Sequence, residues 1–183
     1  MHNPFSLETK KILVTGASSG IGRATAIECA KMGASLVITG RNAERLQETF
    51  DALEGEGHQQ IIADLSEQAG IDFLVSQLPP LNGAVLCAGV GITVPIQFST
   101  RDKFDKIFNT NFFSQAELIR LLYKKKILLK EASIVLLASI GGTSSFNIGN
   151  GIYGASKAAL NSFMKYCAHE FASRKIRVNS ICP

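Results

Sequence analysis

Short apolar runs rich in β-branched residues alternate with amphipathic stretches along all 183 residues. That alternation limits the possible folds more than any other feature of the chain. The runs fall at 11–15, 35–39, 59–63, 84–87, 133–138 and 176–181, and helical patterns lie between them at 20–32, 43–53, 67–78, 101–129 and 152–173. A run such as Ile134-Val135-Leu136-Leu137-Ala138 is apolar at every position, as a strand is when both faces of its sheet are covered. Strands separated by helices pair in parallel through right-handed crossovers, and each crossover lays its helix on one face. The pattern predicts an α/β fold, a doubly wound parallel sheet with six strands visible. Its ligand crevice should lie where the direction of winding reverses. At about 150 residues per domain, 1–183 reads as a single domain.

Composition removes several classes of function. The longest stretch a bilayer could tolerate, 83–92, is interrupted by three glycines and is far shorter than the ~18 residues a spanning helix needs. The start, Met1-His2-Asn3-Pro4-Phe5-Ser6-Leu7-Glu8, has neither the basic nor the apolar segment of a secretory signal, which makes a cytoplasmic location the expectation. Cys29, Cys87, Cys167 and Cys182 show no ligand spacing, and His2, His58 and His169 are the only histidines, so no metal site is assigned. The net charge of +4 includes Lys124-Lys125-Lys126, but these close a helical pattern, where cations face the negative end of the dipole. A nucleic-acid partner would require a basic stripe interleaved with aromatics.

The strongest chemical signal follows the first strand: Thr15-Gly16-Ala17-Ser18-Ser19-Gly20-Ile21-Gly22, leading straight into a helix. A chain turning sharply from strand to helix needs residues that accept positive φ. A pyrophosphate needs backbone free of side chains, so that amide N–H groups and the helix N-terminus can reach it. The loop predicts a dinucleotide site in a Rossmann fold, with Gly16, Ser18, Ser19, Gly20, Ile21 and Gly22 in contact with the cofactor. The same residues match the G-x-S-x-G elbow of α/β-hydrolases through Ser18. That reading fails for want of a histidine at a strand end, since His58 precedes the third strand and His169 sits in a helical pattern.

About 20 residues beyond the loop, where an NAD site offers a carboxylate to the ribose, the chain has Gly40-Arg41. A guanidinium suits a 2′-phosphate, so NADP(H) is expected in preference to NAD(H). Asp64-Leu65 follows the third strand. Asp64 either accepts a hydrogen bond from adenine or caps the next helix, a place open to Ser66 as well. Further on, Ser139 ends the fifth run and Tyr153-Gly154-Ala155-Ser156-Lys157 opens the last helical pattern. The i, i+4 spacing puts Tyr153 and Lys157 on one helix face, where the ammonium stabilises phenolate and makes the phenol a usable acid–base. Ser139 can bond the oxygen on which charge develops during hydride transfer.

Together these motifs resemble the short-chain dehydrogenase/reductase family over essentially the whole chain. The loop 15–22 is similar to the family's T-G-x-x-x-G-x-G, Cys87-Ala88-Gly89 to its N-N-A-G strand end, and Asn111 to its helix asparagine. The resemblance implies a set of roles. Tyr153 is the proton donor or acceptor, Ser139 orients the substrate oxygen, and Lys157, beside Tyr153, also binds the nicotinamide ribose. Asn111 helps position a water relay, Asp64 contacts adenine, and Leu65, Ala88 and Gly89 contact the cofactor. The overall pattern is similar to 3-oxoacyl-carrier-protein reductases and related ketoreductases, and NADP preference implies the reductive direction.

Leu86-Cys87 departs from the family's Asn-Asn, which removes a hydrogen bond between strands or leaves it to the backbone; the thiol is expected to be packed. The chain stops at Pro183, before the covering segment, helix and seventh strand that the family usually carries, so a C-terminal strand and lid are expected to be missing and the sixth strand to be an edge. The loops 89–98 and 140–152 carry no charge and suit a neutral ketone, alcohol or acyl chain. Apolar surface on 101–129 implies, by the resemblance, a homodimer or homotetramer. The alternative function is a catalytically silent nucleotide sensor or scaffold of the same fold, against which the Ser139, Tyr153 and Lys157 set argues.

Overall fold

A computed structural model describes residues 4–183. Met1, His2 and Asn3, part of the N-terminal reading above, lie outside the described residues. Strands β1 (Lys11–Thr15), β2 (Ser35–Gly40), β3 (Gln59–Ile62), β4 (Leu81–Leu86), β5 (Leu128–Leu137) and β6 (Arg177–Ile181) form one parallel sheet in the order β3-β2-β1-β4-β5-β6. The chain winds outward from β1 through β2 to β3, then crosses back and winds the other way from β4 to β6. The reversal lies between β1 and β4, and the loops leaving their C-terminal ends flank the crevice that such a reversal creates.

β1 and β2 are apolar on both faces because each alternates between two cores. Ile12 and Val14 pack with Ala26 and Ala30 of α1 (Gly20–Lys31) and Leu46 of α2 (Ala43–Asp51). Leu13, between them, joins the opposite core with Leu74 of α3 (Gln68–Gln77), Leu118 of α5 (Ser114–Lys124) and Leu160 of α6 (Gly151–Glu170). Each fully buried leucine contributes about 1.5–3 kcal/mol of transfer free energy, so these two cores fix the strand ends that carry the functional loops.

The helix expected over 101–129 is not continuous. It divides into α4 (Arg101–Phe108), a π-helical turn at Asn109–Phe113, and α5, which stops at Lys124. Lys126 adopts φ +58°, and Leu128 and Leu129 belong to β5. A short apolar pair has no period of its own, so helix and strand read alike there. The N-terminal part of β5 slips relative to β4, where Leu81 pairs with Leu128 but Gly83 pairs with Ser133. The residues expected as a strand, 133–138, begin where regular pairing resumes.

Candidate active site

A cleft of about 530 Å³ opens at the C-terminal ends of the strands. Its lining contains every residue expected to hold the cofactor by its loop or strand-end position: Gly16, Ser18, Ser19, Gly20, Ile21, Gly22, Arg41, Asp64, Leu65, Ala88 and Gly89. Gly16 sits at φ +65°, and a Cβ there would stand 2.8 Å from the Ala88 nitrogen; one on Gly22 would run into the Gly16 carbonyl. The loop therefore folds against β4 only because those side chains are missing. Ser19 occupies the N-cap of α1 without a side-chain bond, and no acidic residue lies in the first turn. The amides opening the helix remain available to an anion, which fits a pyrophosphate.

Arg23, which sequence reasoning passed over, fastens this loop to α2. Its Nη2 donates to the Ser18 carbonyl at 2.9 Å, the Arg45 carbonyl at 3.0 Å and Glu48 Oε2 at 2.8 Å. A basic residue in a helix's first turn gives no hint of partners that tertiary folding delivers. Arg41 stands exposed on the cleft rim. Asp64 Oδ1 accepts from Ser66 Oγ at 2.7 Å and Ser66 N at 2.9 Å; these bonds, with a smaller contribution from Arg41, hold its carboxyl below the usual range. Of the two roles left open for Asp64, helix capping is excluded, since Glu67 is the N-cap of α3 and makes no side-chain cap bond; Ser66 does not cap it either.

Ser139, Tyr153 and Lys157 lie beside the cleft and not in its lining. Ser139 starts a short 3-10 turn, Ile140–Gly142, and its Oγ accepts from Gly141 N at 3.1 Å. That turn packs tightly on α6: a Cβ on Gly154 would stand 2.5 Å from the Gly141 carbonyl, and one on Gly142 would stand 2.6 Å from Ala158 N. Glycine at both contacts brings the Ser139 turn against the helix that carries Tyr153. Lys157 is 3% exposed, with Nζ 5.9 Å from the Tyr153 ring centroid and 2.6 Å from the Leu137 carbonyl, to which it donates. Burial drives the Lys157 pKa down to about 8, opposed weakly by Cys87.

Asn111 lies in the π-helical turn and is fully buried. Its Oδ1 accepts from Val90 N at 2.8 Å, while Nδ2 donates to Val90 O at 2.9 Å and Ser156 Oγ at 3.0 Å. Ser156 Oγ donates in turn to the Tyr153 carbonyl at 2.7 Å, so one chain of bonds joins the β4 loop to the start of α6. A π-turn inserts one residue into the helical ladder and re-aims the side chain it carries. Cys87 is half-buried and burial pushes its thiol up to about 11, the condition of a packed and unreactive group. His58 Nδ1 accepts from Leu36 N at 3.1 Å, at the end of β2 opposite the loop, so it is not a partner for Ser18 of the kind a hydrolase would require.

Residues 10–183 match the sequence profile of the short chain dehydrogenase family. The chain belongs to this family. It is 34% identical to a tropinone reductase homolog of Arabidopsis thaliana, over 98% of this chain and 69% of that protein. It is likewise 34% identical to the 3-oxoacyl-acyl-carrier-protein reductase of Rickettsia prowazekii, over 98% of this chain and 73% of that protein. A dehydrogenase/reductase from Sinorhizobium meliloti superposes with a TM-score of 0.89 at 31% identity, over 98% of this chain and 73% of that chain. Membership makes this short-chain dehydrogenase an NAD(P)-dependent oxidoreductase acting on carbonyl or alcohol groups. Among the described residues, no helix is long and apolar enough to cross a membrane.

Proposed function

We propose that this short-chain dehydrogenase is an NADP(H)-preferring reductase of a neutral carbonyl substrate, with Tyr153 as its general acid. The observation that carries the reading is the buried Lys157 ammonium held on one helix face with Tyr153, beside a cleft that ends in a cradle for an anion. NADPH, when bound, supplies the hydride that adds to the carbonyl carbon. Tyr153 Oη gives its proton to the carbonyl oxygen, and the Lys157 charge stabilises the phenolate left behind. Ser139 Oγ donates to the same oxygen as charge develops on it. Asn111 holds the loop wall and, through Ser156, the turn bearing Tyr153.

Gly16, Gly20 and Gly22, with the amides opening α1, receive the pyrophosphate; Asp64 and Leu65 face the adenine, and Ala88 and Gly89 the nicotinamide end. Arg41 receives the 2′-phosphate, a role supported by its place on the rim and by a glycine where a carboxylate would repel it. Exposed Ile96, Phe98, Phe146 and Ile148 on uncharged loops support an apolar, neutral substrate. Phe113 and Tyr166, exposed on a groove of about 690 Å³ between α5 and α6, support a homodimer or homotetramer, and four free cysteines suit the cytoplasm.

Fluorescence titration with NADPH and NADH on the parent, Arg41→Ala and Arg41→Asp tests the cofactor assignment. NADPH affinity should fall about tenfold or more in Arg41→Ala and further in Arg41→Asp, with NADH binding little changed. Equal affinities in the parent would overturn the preference. Binding without turnover on any neutral carbonyl would favour the sensor reading.

A further inference from the structure

We infer that Gln115 is a positioning residue for the nicotinamide end of the cleft, acting through the Ala88 peptide. The inference rests on the cofactor site proposed above and adds to it a side chain outside all the motifs. Ala88, Gly89 and Val90 form one wall of the cleft. This short segment follows β4 and has no strand partner on either side, so its place must be set by bonds to its backbone. Asn111 takes both polar groups of Val90. At Ala88, Thr15 Oγ1 accepts from the amide at 3.2 Å, and Gln115 Nε2 donates to the carbonyl at 2.6 Å.

The end of β4 and the residue after it offer no amide of their own for this tie, since Leu86 and Cys87 carry an alkyl side chain and a thiol. The tie comes instead from Gln115 on the first turn of α5, four residues beyond Asn111, so the π-helical turn and α5 grip the wall at two points. Gln115 is 2% exposed, and its Oε1 has no hydrogen-bond partner. A buried carboxamide kept with half its capacity unused costs stability, and the bond it does make must offset that. Position explains why the bond matters. The Ala88 peptide lies directly against Gly16, and a Cβ on Gly89 would stand 3.3 Å from both Asn111 Oδ1 and Lys157 Nζ. A displaced Ala88 carbonyl therefore moves the wall relative to the glycine loop on one side and Lys157 on the other.

The experiment measures NADPH affinity by fluorescence titration from pH 5 to 9, with melting temperature recorded in parallel, for the parent, Gln115→Leu and Gln115→Glu. Gln115→Leu orphans the Ala88 carbonyl and should weaken NADPH about tenfold at every pH. Gln115→Glu keeps the size of the side chain, but its carboxyl can donate only when protonated. Its affinity should be poor at high pH and recover toward the parent value as pH falls, a rescue that a merely structural role would not produce. If Gln115→Leu fails to fold, Gln115→Glu alone decides the matter. Parent-like affinity in both variants across the pH range overturns the positioning role while leaving the cofactor site standing. A parent that binds no NADPH overturns both.

Discussion

The loops after β1 and β4 lie side by side at the cleft, and they are shaped by opposite means. The first is shaped by omission: Gly16 and Gly22 leave out the atoms that would strike Ala88 and the Gly16 carbonyl. The second is shaped by reach: Thr15, Asn111 and Gln115 come from other elements to hold Ala88 and Val90 by their backbone. A loop made by omission carries its signature in consecutive residues. A loop made by reach carries it in residues scattered over a hundred positions, none of them unusual alone.

That contrast separates binding from chemistry, and the largest effect should expose the separation most sharply. Tyr153→Phe removes the proton donor on the α6 side and should lower kcat about 10²- to 10⁴-fold, while NADPH affinity stays within about threefold of the parent. A proportionate loss of binding would mean that Tyr153 belongs to the cradle. Next in size is Gly16→Ala, which puts a Cβ in a left-handed position 2.8 Å from the Ala88 nitrogen. NADPH binding should weaken about a hundredfold by titration. Near-parent affinity would show that the two loops can part without harm.

A third test addresses the buried cation behind the wall. The Lys157 pKa is lowered to about 8 in the folded protein, against an ordinary lysine value of 10.5. Between those values the unfolded chain binds more protons, so stability from this group is lost below about pH 8 and regained as pH rises toward 10.5. The melting temperature of the cofactor-free parent should therefore gain on that of Lys157→Met from pH 8 to pH 10. A constant difference would contradict the burial account of Lys157. The smallest effect belongs to Gly20→Ala: φ is +53°, but nothing lies within 4 Å of the added carbon. It should cost only about 1 kcal/mol of stability in denaturant titration of the cofactor-free protein.

Strand positions were legible because most of the runs are nearly continuously apolar, and a doubly wound parallel sheet followed from the alternation of strands with helices. The helix over 101–129 was misread at both its middle and its end. The π-helical turn at Asn109–Phe113 has no mark in the local residues, and Leu128-Leu129 have too few neighbours to show a period. Asp64 illustrates an intermediate case: its place beside the cleft was readable, but its bonds to Ser66 and not to the helix start depended on where α3 begins. Lys157 was identified by spacing from Tyr153, yet its burial and its bond to the Leu137 carbonyl were not contained in that spacing.

The sequence by itself determined the doubly wound sheet, the glycine cradle and the pairing of Tyr153 with Lys157, because the first depends on the alternation of strand and helix patterns along the chain and the other two on spacings of a few residues within one motif. Only the tertiary structure decided that Arg23 clasps the cradle to α2, that Ser156 joins Asn111 to the Tyr153 turn, and that Gln115 holds Ala88. Those bonds join partners brought together by the packing of separate elements, and a buried polar group takes whichever partner the fold places within its reach.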